Sequence, residues 1–194
     1  MCSRFELNAE TREVGRRFGL TVPPPMPLGG EMRPTDQILV IGPGGPDLMS
    51  WGLSVDWQTA PLINARAETL AAKPTFRPLL TGGRVLVPAT AWWEWPLVGK
   101  GKRKTRITPT GEALTAFAGL TDGKRVVIVT CAPCPALFEA NDRMPVVLTR
   151  EAESAWLDQG RAFPDVASLL GPHDGPFAVT AETGPLSAQG DLFG

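Results

Sequence analysis

The stretch Arg84-Val85-Leu86-Val87-Pro88-Ala89-Thr90-Ala91-Trp92-Trp93-Glu94-Trp95 is the frame on which the rest of the chain is read. Its first six residues form an apolar, valine-rich run, the composition of a central strand. The run leads into three tryptophans with one carboxylate among them. Side chains alternate faces along a strand, so Glu94 lies opposite Trp93 and Trp95. Two readings follow. Glu94 points to solvent while the tryptophans pack inward, or it sits in an apolar pocket. In such a pocket its pKa rises and it suits general acid or base work.

Around this strand the sequence predicts further short strands and few helices. Gln37–Ile41 is a strand, turned by Gly42-Pro43-Gly44-Gly45-Pro46 into a return over 47–53 that ends Trp51-Gly52-Leu53. Residues 113–120 and 124–130 form two more, joined by the turn Thr121-Asp122-Gly123. Leu62-Ile63 reads as a strand end, and Phe177-Ala178-Val179 as a final strand. Helices are expected over 8–18, with Asn8 as cap and Gly19 as stop, over 67–72, over 135–140, and over 150–159 behind the cap Thr149. Residues 21–36, rich in Pro and Gly, read as a crossing loop. The basic run Lys100-Gly101-Lys102-Arg103-Lys104-Thr105-Arg106 lies between strands and reads as a hairpin tip, either solvated or touching a phosphate backbone.

Composition narrows the function. The 194 residues, 43% of them hydrophobic, are enough for one domain with a real core. Twenty prolines and 21 glycines favour turns and short strands over long helices. A net charge of −1 gives no global field for nucleic acid, so any such contact needs a local basic patch. No run approaches the roughly 20 apolar residues of a membrane span, and the charged N-terminus is no signal peptide. Three cysteines argue against a disulfide framework. These features place the protein in the cytoplasm.

Several residues bear chemistry. In Met1-Cys2-Ser3-Arg4-Phe5 the small second residue permits methionine removal, which would leave an α-amine beside a thiol on Cys2. The two titrate at about 7.7–8 and about 8.5, and together they can turn an aldehyde into an imine and then a thiazolidine. Asn64 and Arg66 stand at a strand–helix junction. An Asn amide can orient a carbonyl or sugar hydroxyl, and an Arg fork can hold a phosphate; they can equally be a cap and a surface charge. Cys131-Ala132-Pro133-Cys134 follows a strand and precedes a helix, the local layout of a dithiol redox motif, although it comes late and without a βαβ unit. With His173 the only histidine, a zinc site lacks ligands.

Five motifs, in order, carry a family resemblance. Met1-Cys2-Ser3-Arg4-Phe5 resembles the MCGRF start of the SOS-response-associated peptidase (SRAP) family. Trp51-Gly52-Leu53 is similar to its WGL segment, and Asn64-Ala65-Arg66-Ala67-Glu68-Thr69 matches NARAET in full. Glu94-Trp95 matches the EW of its GxxEW-type motif, and Asp142-Arg143-Met144-Pro145 matches HxRMP after the first position. The resemblance implies an α+β fold, a curled, barrel-like antiparallel sheet with peripheral helices, over residues 1–181, followed by a flexible tail at 182–194. It implies autoproteolytic removal of Met1 and covalent, lyase-like capture of abasic sites in single-stranded DNA by a thiazolidine on Cys2. No metal and no organic cofactor is expected, and the protein is expected to be a monomer at the nucleoid.

Carried over by motif, the resemblance makes Cys2, Asn64, Glu94 and Asn141 catalytic. Asn64 orients the sugar and Glu94 is the acid/base near the amine. Arg66 and Arg143 hold flanking phosphates, Trp51 stacks on or wedges beside a base, and Arg4, Pro34 and Trp95 complete the DNA-facing set. Three departures stand out. Ser3 replaces Gly, Met32-Arg33-Pro34-Thr35 stands where Asn-x-Ala-Pro-Thr is usual, and Asn141 replaces the His of HxRMP, exchanging a proton carrier for a group that only hydrogen-bonds. Other readings are a non-covalent single-stranded DNA binder that has lost the chemistry, and a Cys131/Cys134 oxidoreductase. The tail Gln189-Gly190-Asp191-Leu192-Phe193 resembles peptides that dock on the bacterial sliding clamp.

Overall fold

A computed structural model of the protein describes residues 2–27, 30–139 and 141–183. The strand Arg84–Ala89 is buried along its whole length, as its composition requires. On one side it pairs antiparallel with Thr115–Thr121 (Leu86 opposite Ala118), and on the other it meets Gln37–Gly42 at Ile41. Gln37–Gly42 continues as a hairpin into Gly45–Trp51, which lies parallel to Arg125–Cys131 with Trp51 opposite Val126. Arg125–Cys131 then pairs antiparallel with Thr115–Thr121, and the ring of five strands closes. Closure leaves these strands without an open edge. The interior is narrow. A Cβ at Gly119 would stand 3.1 Å from side-chain carbons of both Val85 and Val87, so this strand crosses on a glycine.

A second antiparallel sheet runs Glu31–Met32, Phe5–Glu6, Ala91–Glu94, Thr105–Pro109, Phe177–Ala181. Its middle strand is the continuation of Arg84–Ala89, so the stretch that opens the sequence reading belongs to both sheets. Thr90 makes the corner. Its amide donates to the Glu6 carbonyl at 2.7 Å, and its hydroxyl accepts from the Asn8 amide at 3.1 Å. Edge-to-face rings lock the sheets together: Trp51 on Phe5 (5.2 Å), Phe5 on Phe117 (5.9 Å), Phe117 on Trp92 (5.8 Å) and Trp92 on Phe177 (5.5 Å). Such pairs contribute about 0.5–1.5 kcal/mol each beyond burial.

The expected α+β class with a barrel-like sheet and peripheral helices is observed, with local corrections. The first helix is Thr11–Arg17, and Glu13 accepts from the Glu10 amide at 3.0 Å; the cap position is Glu10, two residues beyond the expected Asn8. The expected helices at 67–72 and 135–140 are single 3₁₀ turns, Ala67–Thr69 and Pro135–Leu137. The crossing loop contains the strand Glu31–Met32. The basic run is only half a tip. A hairpin pairs Leu97 with Lys102 around Gly99-Lys100, while Thr105 and Arg106 are already in the second sheet. There Arg106 pairs with Glu6, and Lys104 with Glu31 at 3.0 Å.

Arg84, unremarked in the sequence, is fully buried. Its guanidinium donates to the Leu80 carbonyl (2.6 Å), and to those of Trp156 (2.8 Å), Asp158 and Arg161 (3.1 Å), which fix the end of the helix Arg150–Leu157 against the barrel. The Thr149 hydroxyl caps the other end, accepting from the Ala152 amide. Arg84→Met keeps the apolar stem but strands these carbonyls in a dry setting. We expect a loss of about 3 kcal/mol of unfolding free energy in urea denaturation; a loss below about 1 kcal/mol would show that water replaces the guanidinium.

Candidate active site

Four side chains meet where the second sheet crosses the barrel. Cys2 lies just before Phe5–Glu6, Asn64 begins the strand Asn64–Arg66, Glu94 ends Ala91–Glu94, and Asn141 follows the Pro135–Leu137 turn. Asn64–Arg66 runs parallel to the barrel strand Arg125–Cys131, with Asn64 opposite Ile128. That pairing carries the Asn64 amide to the N-terminal segment, where Nδ2 donates to the Cys2 carbonyl at 2.7 Å. Asn64 Oδ1 is buried and has no hydrogen-bond partner among the described residues, which leaves an unused acceptor on this side chain.

The tryptophan stretch resolves by alternation. Trp92 is wholly buried in the aromatic chain, and Glu94, two residues on, shares its inward face. Trp93 takes the other face, where its indole donates to Glu182 at 2.6 Å under the Lys104 ammonium. Glu94 is 1% exposed and accepts a hydrogen bond from Asn141 Nδ2. Of the two readings of Glu94, the buried one holds.

Burial sets the electrostatics. It pushes the Glu94 carboxyl from 4.5 to about 7, while the Asn141 hydrogen bond pulls the other way. The carboxyl is therefore divided between its two protonation states near neutral pH. Burial, and then the nearby Glu94 charge, push the Cys2 thiol well above its ordinary value, so it is protonated at pH 7. It donates to the Arg4 carbonyl at 3.8 Å. Cys131 and Cys134 are both buried as free thiols, and burial pushes Cys131 up to about 11. A redox dithiol needs an accessible thiolate, so the oxidoreductase reading fails on burial. Among the described residues no group of three or more His, Cys, Asp or Glu could hold a metal ion.

The expected DNA-facing residues divide. Arg66 is exposed, and Pro34 and Trp95 are half-buried. Trp51 is a correction: it is fully buried against Phe5, and its indole donates to the Ile63 carbonyl at 2.9 Å, so it offers no face to a base. Arg143 is another. Its fork holds both Glu68 oxygens, at 2.8 and 2.9 Å, and the Thr130 carbonyl at 2.7 Å, and it braces the loop that carries Asn141. Arg4 is buried beside Glu31, 3.7 Å away. Glu68, 75 positions away in the sequence, is the partner of Arg143. The clamp-docking segment Gln189–Phe193 lies outside the described residues.

A closed five-stranded barrel, crossed by a second sheet with a thiol, a buried carboxyl and two amides at the seam, defines a class of small α+β proteins. Within that class the chain belongs to the SOS response associated peptidase (SRAP) family, whose model matches residues 1–183. It is 35% identical to the abasic site processing protein YoqW of Bacillus subtilis (90% of this chain, 88% of that protein). It is 31% identical to the abasic site processing protein YedK of Escherichia coli (82% and 80%). A solved structure from Bacteroides thetaiotaomicron superimposes with a TM-score of 0.81 at 23% identity, covering 93% of this chain and 91% of that one.

A raised carboxyl pKa has a stability signature. Between about pH 4.5 and 7 the folded protein holds the Glu94 proton that the unfolded chain has released, so its stability falls as pH rises through that window. The shift from 4.5 to about 7 corresponds to about 3 kcal/mol. Glu94→Gln keeps an acceptor for Asn141 without the charge. In urea titrations its stability relative to the parent should improve from pH 4 to pH 8 by a value of that order; a constant difference would place the charge in water.

Proposed function

We propose that the protein captures abasic sites in single-stranded DNA covalently, through Cys2 freed of Met1. The observation that carries this reading is the gathering of Cys2, Asn64, Asn141 and a Glu94 carboxyl of pKa about 7 at one seam. The relatives named as abasic site processing proteins support the same substrate. Hydrolysis of the Met1–Cys2 bond consumes one water and yields the α-amine. The amine attacks the aldehyde of the ring-opened sugar, and water leaves with a proton supplied by Glu94. The Cys2 sulfur then adds to the imine carbon, and its proton passes to the nitrogen, closing a thiazolidine with all atoms accounted for.

Each neighbour has a task in this scheme. The protonated fraction of Glu94 serves dehydration and the ionised fraction takes the ammonium or thiol proton. Asn64 Oδ1 accepts from a sugar hydroxyl. Asn141 holds the carboxyl in place but moves no proton. Arg66 reaches a flanking phosphate. Recruitment to a sliding clamp through Gln189–Phe193 belongs to the same proposal, resting on the sequence of that segment alone.

On a denaturing gel with an oligonucleotide bearing one abasic site, the protein should give a heat-stable shifted band, and Cys2→Ala none. A band that persists in Cys2→Ala removes the mechanism. A native-gel shift without any covalent band favours the non-covalent binder. Asn141→His restores a titrating group beside Glu94. Its crosslinking or reversal rate should rise severalfold between pH 6 and 7; identical rates across that range would show that proton transfer at this position is not limiting.

A further inference from the structure

We infer that a groove beside the seam receives unpaired bases on one flank of the lesion; this rests on the single-stranded DNA reading above. The groove encloses about 850 Å³ and is lined by Leu97 and Val98 of the hairpin, Val179 and Ala181 of the last strand, and Ala136. Thr105 also lines it, and Thr105 is the strand partner of Glu94. Glu139, two positions before Asn141, also lines it. The groove therefore adjoins two of the four site residues through the backbone.

Its apolar character is out of keeping with the remaining surface. Six large hydrophobic residues are exposed among the described residues, and four of them, Leu97, Val98, Phe138 and Val179, are on the groove or, for Phe138, between two residues of its lining. Such a cluster marks a contact surface. Charge chooses the partner. The hairpin that carries Leu97 and Val98 also carries exposed Lys100 and half-buried Arg103. An apolar trough lined by Arg103, with Lys100 at the turn of the same hairpin, fits stacked bases whose phosphates meet these cations. Glu139 would repel phosphates and accept from base amino groups. The groove also answers what the buried Trp51 leaves open, a surface for bases near the lesion.

The test uses Cys2→Ala protein, so that binding is read without crosslinking. Oligonucleotides carry one tetrahydrofuran lesion analogue, flanked either by natural bases or, on one side, by further base-free spacers. Removing the bases on one flank should weaken binding roughly tenfold or more, the scale of one stacked base, and removal on the other flank far less. Adding Leu97→Ser, Val98→Ser and Phe138→Ser should abolish that difference and leave the salt slope unchanged, whereas Lys100→Ala with Arg103→Ala should lower the slope by about one for each charge that meets a phosphate. Hydrogen exchange of the protein without surface substitutions gives a readout independent of their folding. DNA should protect residues 97–103, 136–139 and 177–181. Base dependence that survives the triple variant, or no protection of these segments on a bound oligonucleotide, overturns the inference. Failure of Cys2 to crosslink while base dependence persists would instead sink the covalent reading and leave the groove standing.

Discussion

A carboxyl taken out of water governs this molecule. Glu94 ends a strand whose inward face is otherwise aromatic, and alternation leaves it no route to solvent. An isolated buried carboxylate is costly, so the group takes a hydrogen bond from Asn141 and holds its proton up to about pH 7. The same burial protonates the Cys2 thiol. In the proposed reaction the thiol is spared side reactions until an imine is present to accept it.

The rest of the fold serves that position. Glu94 is inside because Arg84–Ala89 leaves the barrel at Thr90 and enters the second sheet, and the Glu6 and Asn8 backbones hold that corner. The rings from Trp51 to Phe177 fix the angle between the sheets. Arg143, bound to Glu68 and Thr130, stiffens the loop that delivers Asn141. Arg84 carries no chemistry, yet it joins the barrel to the end of the helix behind it by three carbonyl contacts, and holds the Leu80 carbonyl as well.

Much of this was legible in the chain. The apolar run 84–89, the glycine-marked turn at 121–123 and the capping Thr149 give strands and a helix through local rules, and all are found. Alternation already separated Glu94 from Trp93 and Trp95; the side facing water depended on the partner strands of Ala91–Glu94, which are distant in sequence. The helices at 67–72 and 135–140 shortened because each is a connector between strands, where one turn suffices. Trp51 was misassigned because its motif names a residue that matters without saying whether it matters by touching DNA or by holding the fold, and its burial and the Ile63 carbonyl decide it.

The central claim is a bond between Cys2 and a sugar carbon, and intact mass spectrometry tests it most directly. The purified protein is incubated with an oligonucleotide carrying one abasic site, weighed, and digested to locate the adduct. The account predicts a chain lacking Met1 that gains the mass of the oligonucleotide less one water, with the adduct on Cys2. A Met1-free chain that gains no mass, or an adduct located on any other residue, would contradict it.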